Sequence, residues 1–269
     1  MSNLTAVIVG ATGGIGQAIA NTLGKKGINL VLAGRNEGML KEMQAKLAKS
    51  YPDIKLNCLC CDISKPESRQ HFMQALAVLN TPINYYINNA GINDFALFSD
   101  QQDAMIERMM MVNVAYPLEL IQQVIPLMSA VNPSQIINIG STFGSIGYPG
   151  YVSYCASKFA LRGATEALAR EYCTTAIKFR YFSPRATSTA MNSPAVIQMN
   201  QKLGVQMDSP ELVAEELYNF LQRDQQSYQV GYPEKIFVKV NQLLPHVVSG
   251  SIEKNISTIQ HYAKSCNET

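Results

Sequence analysis

The chain has 269 residues, 47% of them hydrophobic and 16% charged, enough for one large α/β domain or two small ones. Its 22 basic against 20 acidic side chains leave a formal net charge of +2, without the basic surplus of a phosphate-backbone reader, and no nucleic-acid partner is expected. No apolar run reaches the ~18 residues that cross a bilayer, and Met1-Ser2-Asn3-Leu4 puts no basic region ahead of an apolar stretch, so a soluble, cytoplasmic protein is expected.

Short β-rich runs fall at 6–9, 29–33, 55–61, 84–87, 135–139 and 177–182, with a weaker seventh at 228–230. Most are near-continuously apolar, as strands covered on both faces are. Between them Ile15, Ile19 and Leu23 recur at helical spacing, as do Leu40, Met43 and Leu47, then Phe72, Leu76 and Leu79. Ser209-Pro210-Glu211 reads as a cap and first turn of a helix running to about Leu221. Strand and helix alternating in this way predict right-handed crossovers and a doubly wound parallel sheet with helices on both faces, a Rossmann fold.

The first strand runs straight into Gly10-Ala11-Thr12-Gly13-Gly14-Ile15-Gly16 and then into a helix. Glycines there allow a tight turn and let backbone N–H groups approach a pyrophosphate at the helix N-terminus, so a dinucleotide fits. At the end of the second strand, where an NAD-binding domain usually places a carboxylate for the ribose hydroxyls, the chain has Ala33-Gly34-Arg35-Asn36. The planar, permanently charged fork of Arg35 suits a 2′-phosphate, which predicts NADP(H) in preference to NAD(H). Asp62 and Asn88-Asn89-Ala90-Gly91 follow the third and fourth strands, at the carboxyl ends where doubly wound sheets bind ligands.

In Ser153-Tyr154-Cys155-Ala156-Ser157-Lys158, the spacing of four puts Tyr154 and Lys158 on one face of a helix. A phenol beside an ammonium is a tunable acid, useful to a reaction that moves a proton together with a hydride. From about Ala6 to Val230 the sequence resembles the single-domain members of the short-chain dehydrogenase/reductase family. The matching residues are Gly10, Gly14, Gly16, Asp62, the Asn88 to Gly91 run, Asn113, Ser141, Tyr154 and Lys158, with Ser141 thirteen positions before Tyr154.

The resemblance implies that Tyr154 is the general acid in carbonyl reduction and that Ser141 orients the substrate oxygen. It implies that Lys158 lowers the tyrosine pKa and holds the nicotinamide ribose, while Asn113 positions a relay water. It places the cofactor on Gly10, Thr12, Gly14, Ile15, Gly16, Arg35, Asp62, Asn89, Ala90, Gly91, Tyr154, Lys158, Pro184, Thr187 and Thr189. It further implies a homodimer or homotetramer and a small carbonyl or alcohol substrate, an acyl-bearing one included because 3-oxoacyl carrier-protein reductases are similar.

Two positions depart from the family pattern. Val9 stands where threonine is usual, and Arg185 stands where glycine normally follows the proline. Arg185 either meets an anionic group of the substrate, such as a carboxylate or a phosphopantetheine phosphate, or lies with its stem toward solvent.

A lid over the substrate is expected at about 190–208, where Met191, Met199 and Met207 offer adaptable apolar contact. Beyond it a helical tail at about 231–269 carries one apolar stripe, Ile236, Phe237, Val240, Leu243 and Leu244, stopped by Pro245. Ile252, Ile256 and Ile259 form one face of a second helix. Packing on the parent domain or on another subunit would cover these faces. The alternative is an interfacial membrane helix, but only Lys235 and Lys239 decorate the polar face, and membrane contact is not expected. Residues 1–269 are read as one catalytic domain.

Cys58, Cys60, Cys61, Cys155, Cys173 and Cys266 lack the paired spacing of a zinc site. No metal is expected, the thiols are read as reduced, and the cluster in the third strand is read as core. The competing function is a non-catalytic NADPH-binding regulator acting through the tail, for which a complete Ser141, Tyr154 and Lys158 set has no use.

Overall fold

Residues 4–131 and 133–265 are described by the computed structural model. Its strands are β1 (Thr5–Val9), β2 (Asn29–Gly34), β3 (Leu56–Cys60), β4 (Tyr85–Asn88), β5 (Gln135–Ile139), β6 (Lys178–Ser183) and β7 (Ser227–Gln229). All pair in parallel, in the order β3-β2-β1-β4-β5-β6-β7. Every residue of β1 and of β5 is buried, as their apolar composition requires of strands covered on both faces.

The helices are α1 (Gly14–Lys25), α2 (Glu37–Ser50), α3 (Pro66–Val78), α4 (Asp103–Met110), α5 (Tyr116–Val124), α6 (Val152–Glu171), α7 (Pro194–Lys202), α8 (Pro210–Leu221), α9 (Glu234–Leu243), α10 (Pro245–Glu253) and α11 (Ile256–Ser265). Ile19 and Leu23 of α1, Leu40 of α2 and Leu217 of α8 seal one face of the sheet. Phe72 and Leu76 of α3 and Leu120 and Val124 of α5 seal the other. The chain order reverses between β1 and β4, and a doubly wound sheet opens its ligand cleft at the carboxyl ends of such a pair.

Asn36, Ser193 and Ser209 cap α2, α7 and α8 by accepting first-turn N–H bonds, so those starts are local decisions of the sequence. A stretch that periodicity did not predict runs from α4 through a π-helical turn, Met111–Ala115, into α5. The extra residue in that turn swings the Asn113 amide inward toward the β4 loop.

Two expectations need correction. Cys60 is exposed and Cys58 half-buried, because β3 is an edge strand; only Cys61 of that cluster is core, and Cys266 lies outside the described residues. Ile252 and Ile256 belong to separate helices, α10 and α11, rather than to one continuous face. The tail is covered only in part: Ile259 and Ala263 of α11 are buried against Val196 and Met199 of α7, whereas Ile236, Phe237 and Leu243 of α9 remain exposed. No helix among the described residues is long and apolar enough to cross a membrane.

Candidate active site

The turn after β1 is shaped by two close approaches. Gly10 has φ +83, and a Cβ there would lie 2.7 Å from the Ala90 nitrogen; a Cβ on Gly16 would lie 2.3 Å from the Gly10 carbonyl oxygen. Only glycine fits either position. Asn89 Nδ2 donates to that same Gly10 carbonyl at 3.0 Å, which locks the β4 loop against the turn. Thr12 lies against Gly34 at the end of β2.

Helix α1 starts at Gly13 with no side-chain cap and no acid in its first turn. The first-turn amides of Gly14, Ile15 and Gly16 therefore present a positive helix end to an outside acceptor, which a pyrophosphate would fit. Arg35 is exposed, and no hydrogen bond or ion pair of its guanidinium is seen among the described residues. Asn36, beside it, is committed to capping α2. Asp62 accepts from the Ser64 hydroxyl at 2.7 Å and from its N–H at 3.0 Å, and the hydroxyl bond above all holds its carboxyl below the ordinary range. The open helix N–H groups and the Arg35 guanidinium suit an anionic dinucleotide, whereas Asp62 can only accept.

Across the cleft, Asn113 is fully buried. Its Oδ1 accepts from Ile92 N–H at 2.8 Å, and its Nδ2 donates to Ile92 O at 2.8 Å and to Ser157 Oγ at 3.0 Å. The amide thus clamps the β4 loop to α6. Lys158, one turn along α6 from Tyr154, is 6% exposed and donates from Nζ to the Ile139 carbonyl at 3.0 Å. Its Nζ is 5.7 Å from the centre of the Tyr154 ring and faces Gly91.

Ser141 caps the short turn after β5 by accepting from Phe143 N–H at 3.1 Å, and a side-chain hydrogen bond joins it to Tyr154. Burial pushes the Tyr154 phenol up to about 12 against the pull of Ser141, and burial brings the Lys158 ammonium down to about 8. At neutral pH the pair is therefore phenol and ammonium.

A cavity of about 250 Å³ connects these groups. Ile15, Asn89, Gly91, Pro184, Thr187 and Thr189 line it together with Phe143, Tyr148, Tyr151, Met191, Met199 and Val205. Ser141, Tyr154 and Lys158 line the same space. Sequence reasoning missed Ile92 and Ile139, whose contribution is a backbone group that no side-chain pattern signals. It also missed the aromatic wall of Phe143, Tyr148 and Tyr151, whose rings pack with centroids 4.9 to 6.4 Å apart.

Both readings of Arg185 need correction. Its side chain is 14% exposed and its donors are occupied: Nε and Nη2 bond the two oxygens of Asp208 at 2.8 and 2.7 Å, and Nη1 bonds Tyr232 O at 2.8 Å and Glu234 at 3.2 Å. The bidentate pair closes the base of the lid, where Thr187 and Asp208 also form a β-bridge. Arg185 has no left-handed φ, so the glycine usual at this place is not needed for backbone reasons.

A doubly wound sheet with a glycine turn, a bare helix N-terminus and a phenol–ammonium–hydroxyl cluster at the same end defines an oxidoreductase of the dinucleotide-binding class. The model of the short chain dehydrogenase family matches residues 4–200, and the chain belongs to the short-chain dehydrogenase/reductase family of oxidoreductases.

It is 30% identical to the 3-oxoacyl-acyl-carrier-protein reductase FabG of Rickettsia felis over 241 residues, 86% of this chain and 94% of that one. It is 29% identical to the uncharacterized oxidoreductase YmfI of Bacillus subtilis over 190 residues, 70% and 77% of the two chains. Among solved structures the fold is shared with a short-chain dehydrogenase/reductase from Burkholderia phymatum in complex with NAD, at TM-score 0.78, 20% identity and coverage of 91% and 94%. It is shared also with an actinorhodin polyketide ketoreductase with NADPH, at TM-score 0.74, 22% identity and coverage of 84% and 95%.

Lys158 gives the site a pH signature in the protein alone. The folded state releases its proton near 8, whereas an unfolded chain holds it to the ordinary 10.5, so the unfolded state binds more protons between those values. Lys158 by itself is expected to make stability rise as pH is raised from about 8; Cys61, whose folded state keeps its proton to about 12 against an ordinary 9, opposes the rise above about 9, and Tyr154 adds to that opposition above about 10. Chemical denaturation at stepped pH checks this. Lys158→Met should remove the rise, and a rise that persists in the variant would assign it to another group.

Proposed function

We propose that the protein is an NADP(H)-dependent short-chain oxidoreductase that interconverts a ketone and a secondary alcohol, with Tyr154 as general acid and base. The observation that carries this reading is the Tyr154 phenol, bonded to Ser141 and one helical turn from Lys158, in one cavity that Ile15 of the α1 start and the apolar wall also line. The bound nicotinamide would supply the hydride.

In the direction of reduction, Ser141 and Tyr154 would donate hydrogen bonds to the substrate oxygen. Charge developing on that oxygen is stabilised by donors already in place, and the Tyr154 proton passes to it as the carbonyl carbon becomes tetrahedral. Lys158, anchored to Ile139 O, would contact the nicotinamide ribose and lower the cost of the phenolate. Asn113 holds the loop on which these groups converge. Gly10, Thr12, Gly14, Ile15, Gly16, Asp62, Asn89, Ala90, Gly91, Pro184, Thr187 and Thr189 would hold the dinucleotide.

The Phe143, Tyr148, Met191 and Met199 wall supports a neutral, largely apolar substrate, and likeness to 3-oxoacyl carrier-protein reductases supports an acyl-bearing one. We place residues 1–269 in one cytoplasmic catalytic unit, with the lid and tail as parts of it, that assembles as a homodimer or homotetramer. NADPH oxidation followed over a panel of ketones tests the activity; binding of NADPH with no turnover of any carbonyl would favour the regulator instead.

Arg35 supports NADPH over NADH because its exposed fork is the cationic group at the end of β2. Arg35→Asp is expected to lower the ratio of kcat/KM for NADPH over NADH by about 10- to 100-fold, the worth of a charge-assisted hydrogen bond to a phosphate. An unchanged ratio would overturn the assignment.

A further inference from the structure

We propose that Tyr181 is a positioning residue, holding the backbones of Ser141 and Lys158 together from beneath through a single phenolic hydroxyl. The inference rests on the reading of Ser141, Tyr154 and Lys158 given above.

Tyr181 stands on β6 opposite Asn138 of β5 and is 4% exposed. Its hydroxyl donates to the Lys158 carbonyl at 3.1 Å, and the backbone N–H of Ser141 donates to it in turn. The hydroxyl's proton and one of its two acceptor sites are thus used on the backbones of the two residues that flank Tyr154 in space, and the Ser183 side chain bonds the same hydroxyl. Burial pushes the Tyr181 pKa up, so the hydroxyl remains a donor at any working pH.

The chain makes room for this ring by omitting two side chains. A Cβ at Gly140 would lie 2.1 Å from Tyr181 Cζ, and one at Gly144 would lie 2.1 Å from its hydroxyl oxygen. A ring that needed only to fill core would not require a glycine on both sides of its hydroxyl. Here the two glycines admit the hydroxyl to the place where the turn after β5 meets α6. Ser141 sits at the cap of that turn and Lys158 inside α6, so a slip between the two elements moves the serine relative to the phenol it bonds.

Tyr181→Phe keeps the ring and removes the tether. Ketone reduction is expected to lose about 10- to 30-fold in kcat, the effect of a weakened hydrogen bond to a catalytic group, while KM for NADPH changes less than twofold. Because Ser141 lowers the Tyr154 pKa, the pH at which alcohol oxidation gains its base should move to higher pH. The other groups around the phenol, Cys155, Lys158, Tyr148 and Tyr151, with Arg162 behind Tyr181, are unchanged in the variant.

A double-mutant cycle with Ser141→Ala should show strongly non-additive losses. A lower Tm with kcat and the pH limb unmoved, or additive losses in the cycle, would overturn the proposal and leave Tyr181 as core. Full turnover in Tyr154→Phe would instead overturn the reading of the site itself, so the two failures are separable.

Discussion

Tyr154→Phe is expected to reduce ketone turnover by about 10²- to 10⁴-fold, the range that a positioned proton donor contributes, with KM for the cofactor held within about threefold. The substitution deletes one hydroxyl and leaves the ring among its neighbours, Tyr151 at 6.0 Å and Phe143 at 6.4 Å between centroids, so the cavity keeps its shape. The glycines of the turn after β1, Gly10, Gly14 and Gly16, are not among the residues that line the cavity, and the substitution leaves them untouched.

At pH 7 burial has already set the two ionisable groups to the forms that reduction uses, Tyr154 with its proton and Lys158 charged. Among the described residues Ser141 is the side chain seen bonded to the Tyr154 phenol, and a serine hydroxyl is far too weak an acid to replace it. Steady-state rates with NADPH and a turned-over ketone check the expectation. Retention of more than a tenth of the wild-type kcat would mean that the proton arrives by another route.

The sheet was legible because its strands are buried on both faces. The apolar runs at 6–9, 29–33 and 135–139 fall within a residue of β1, β2 and β5, and the runs at 84–87 and 177–182 are offset by one from β4 and β6. The edge strand β3 was read two residues too long, since one face of it is half solvated and its pattern is weaker.

The site was legible only as far as side-chain type carries it. Tyr154 and Lys158 announce themselves by spacing, but the clamp of Asn113 ends on the backbone of Ile92 and the anchor of Lys158 ends on the backbone of Ile139. Backbone partners have no letter of their own.

Arg185 was misread for a different reason. Its partners lie far along the chain at Asp208 and Glu234, and a lone cation after a proline reads as available until the fold brings those carboxylates to it. Tyr181 did leave a signal, in Gly140 and Gly144, but one that acquires meaning only when β5, β6 and α6 are superposed.

Arg180, the neighbour of Tyr181 on the opposite face of β6, is expected to carry the largest single share of stability outside the apolar core. Its guanidinium is 2% exposed. Nε donates to Gln225 O at 2.8 Å, Nη2 donates to Phe220 O at 2.9 Å and to Arg223 O at 2.8 Å, and Nη1 donates to the Gln135 side chain. The plane also stacks 3.8 Å above the Phe220 ring.

The cation therefore closes the carboxyl end of α8, where the helix dipole favours positive charge, and ties that end to β5 and to the loop before β7. Burial opposes this by pulling the Arg180 pKa down to about 10, which measures the desolvation that the four bonds must outweigh. Arg180→Met fills most of the volume and relieves the desolvation, yet it leaves the Gln225 and Arg223 carbonyls and the Gln135 amide oxygen without this donor, each costing about 1–3 kcal/mol if water cannot reach it, while Phe220 O keeps the Arg223 N–H.

The net expectation is a loss of ~3 kcal/mol in denaturant unfolding, with kcat unchanged at temperatures where the variant is folded. Arg180→Lys should recover less than half of the loss, because a point charge cannot span acceptors arranged for a planar fork. Full recovery by lysine would show that charge at the helix end, and not the fork, is what stabilises β6 against α8. A methionine variant as stable as the parent would show that desolvation cancels the four bonds.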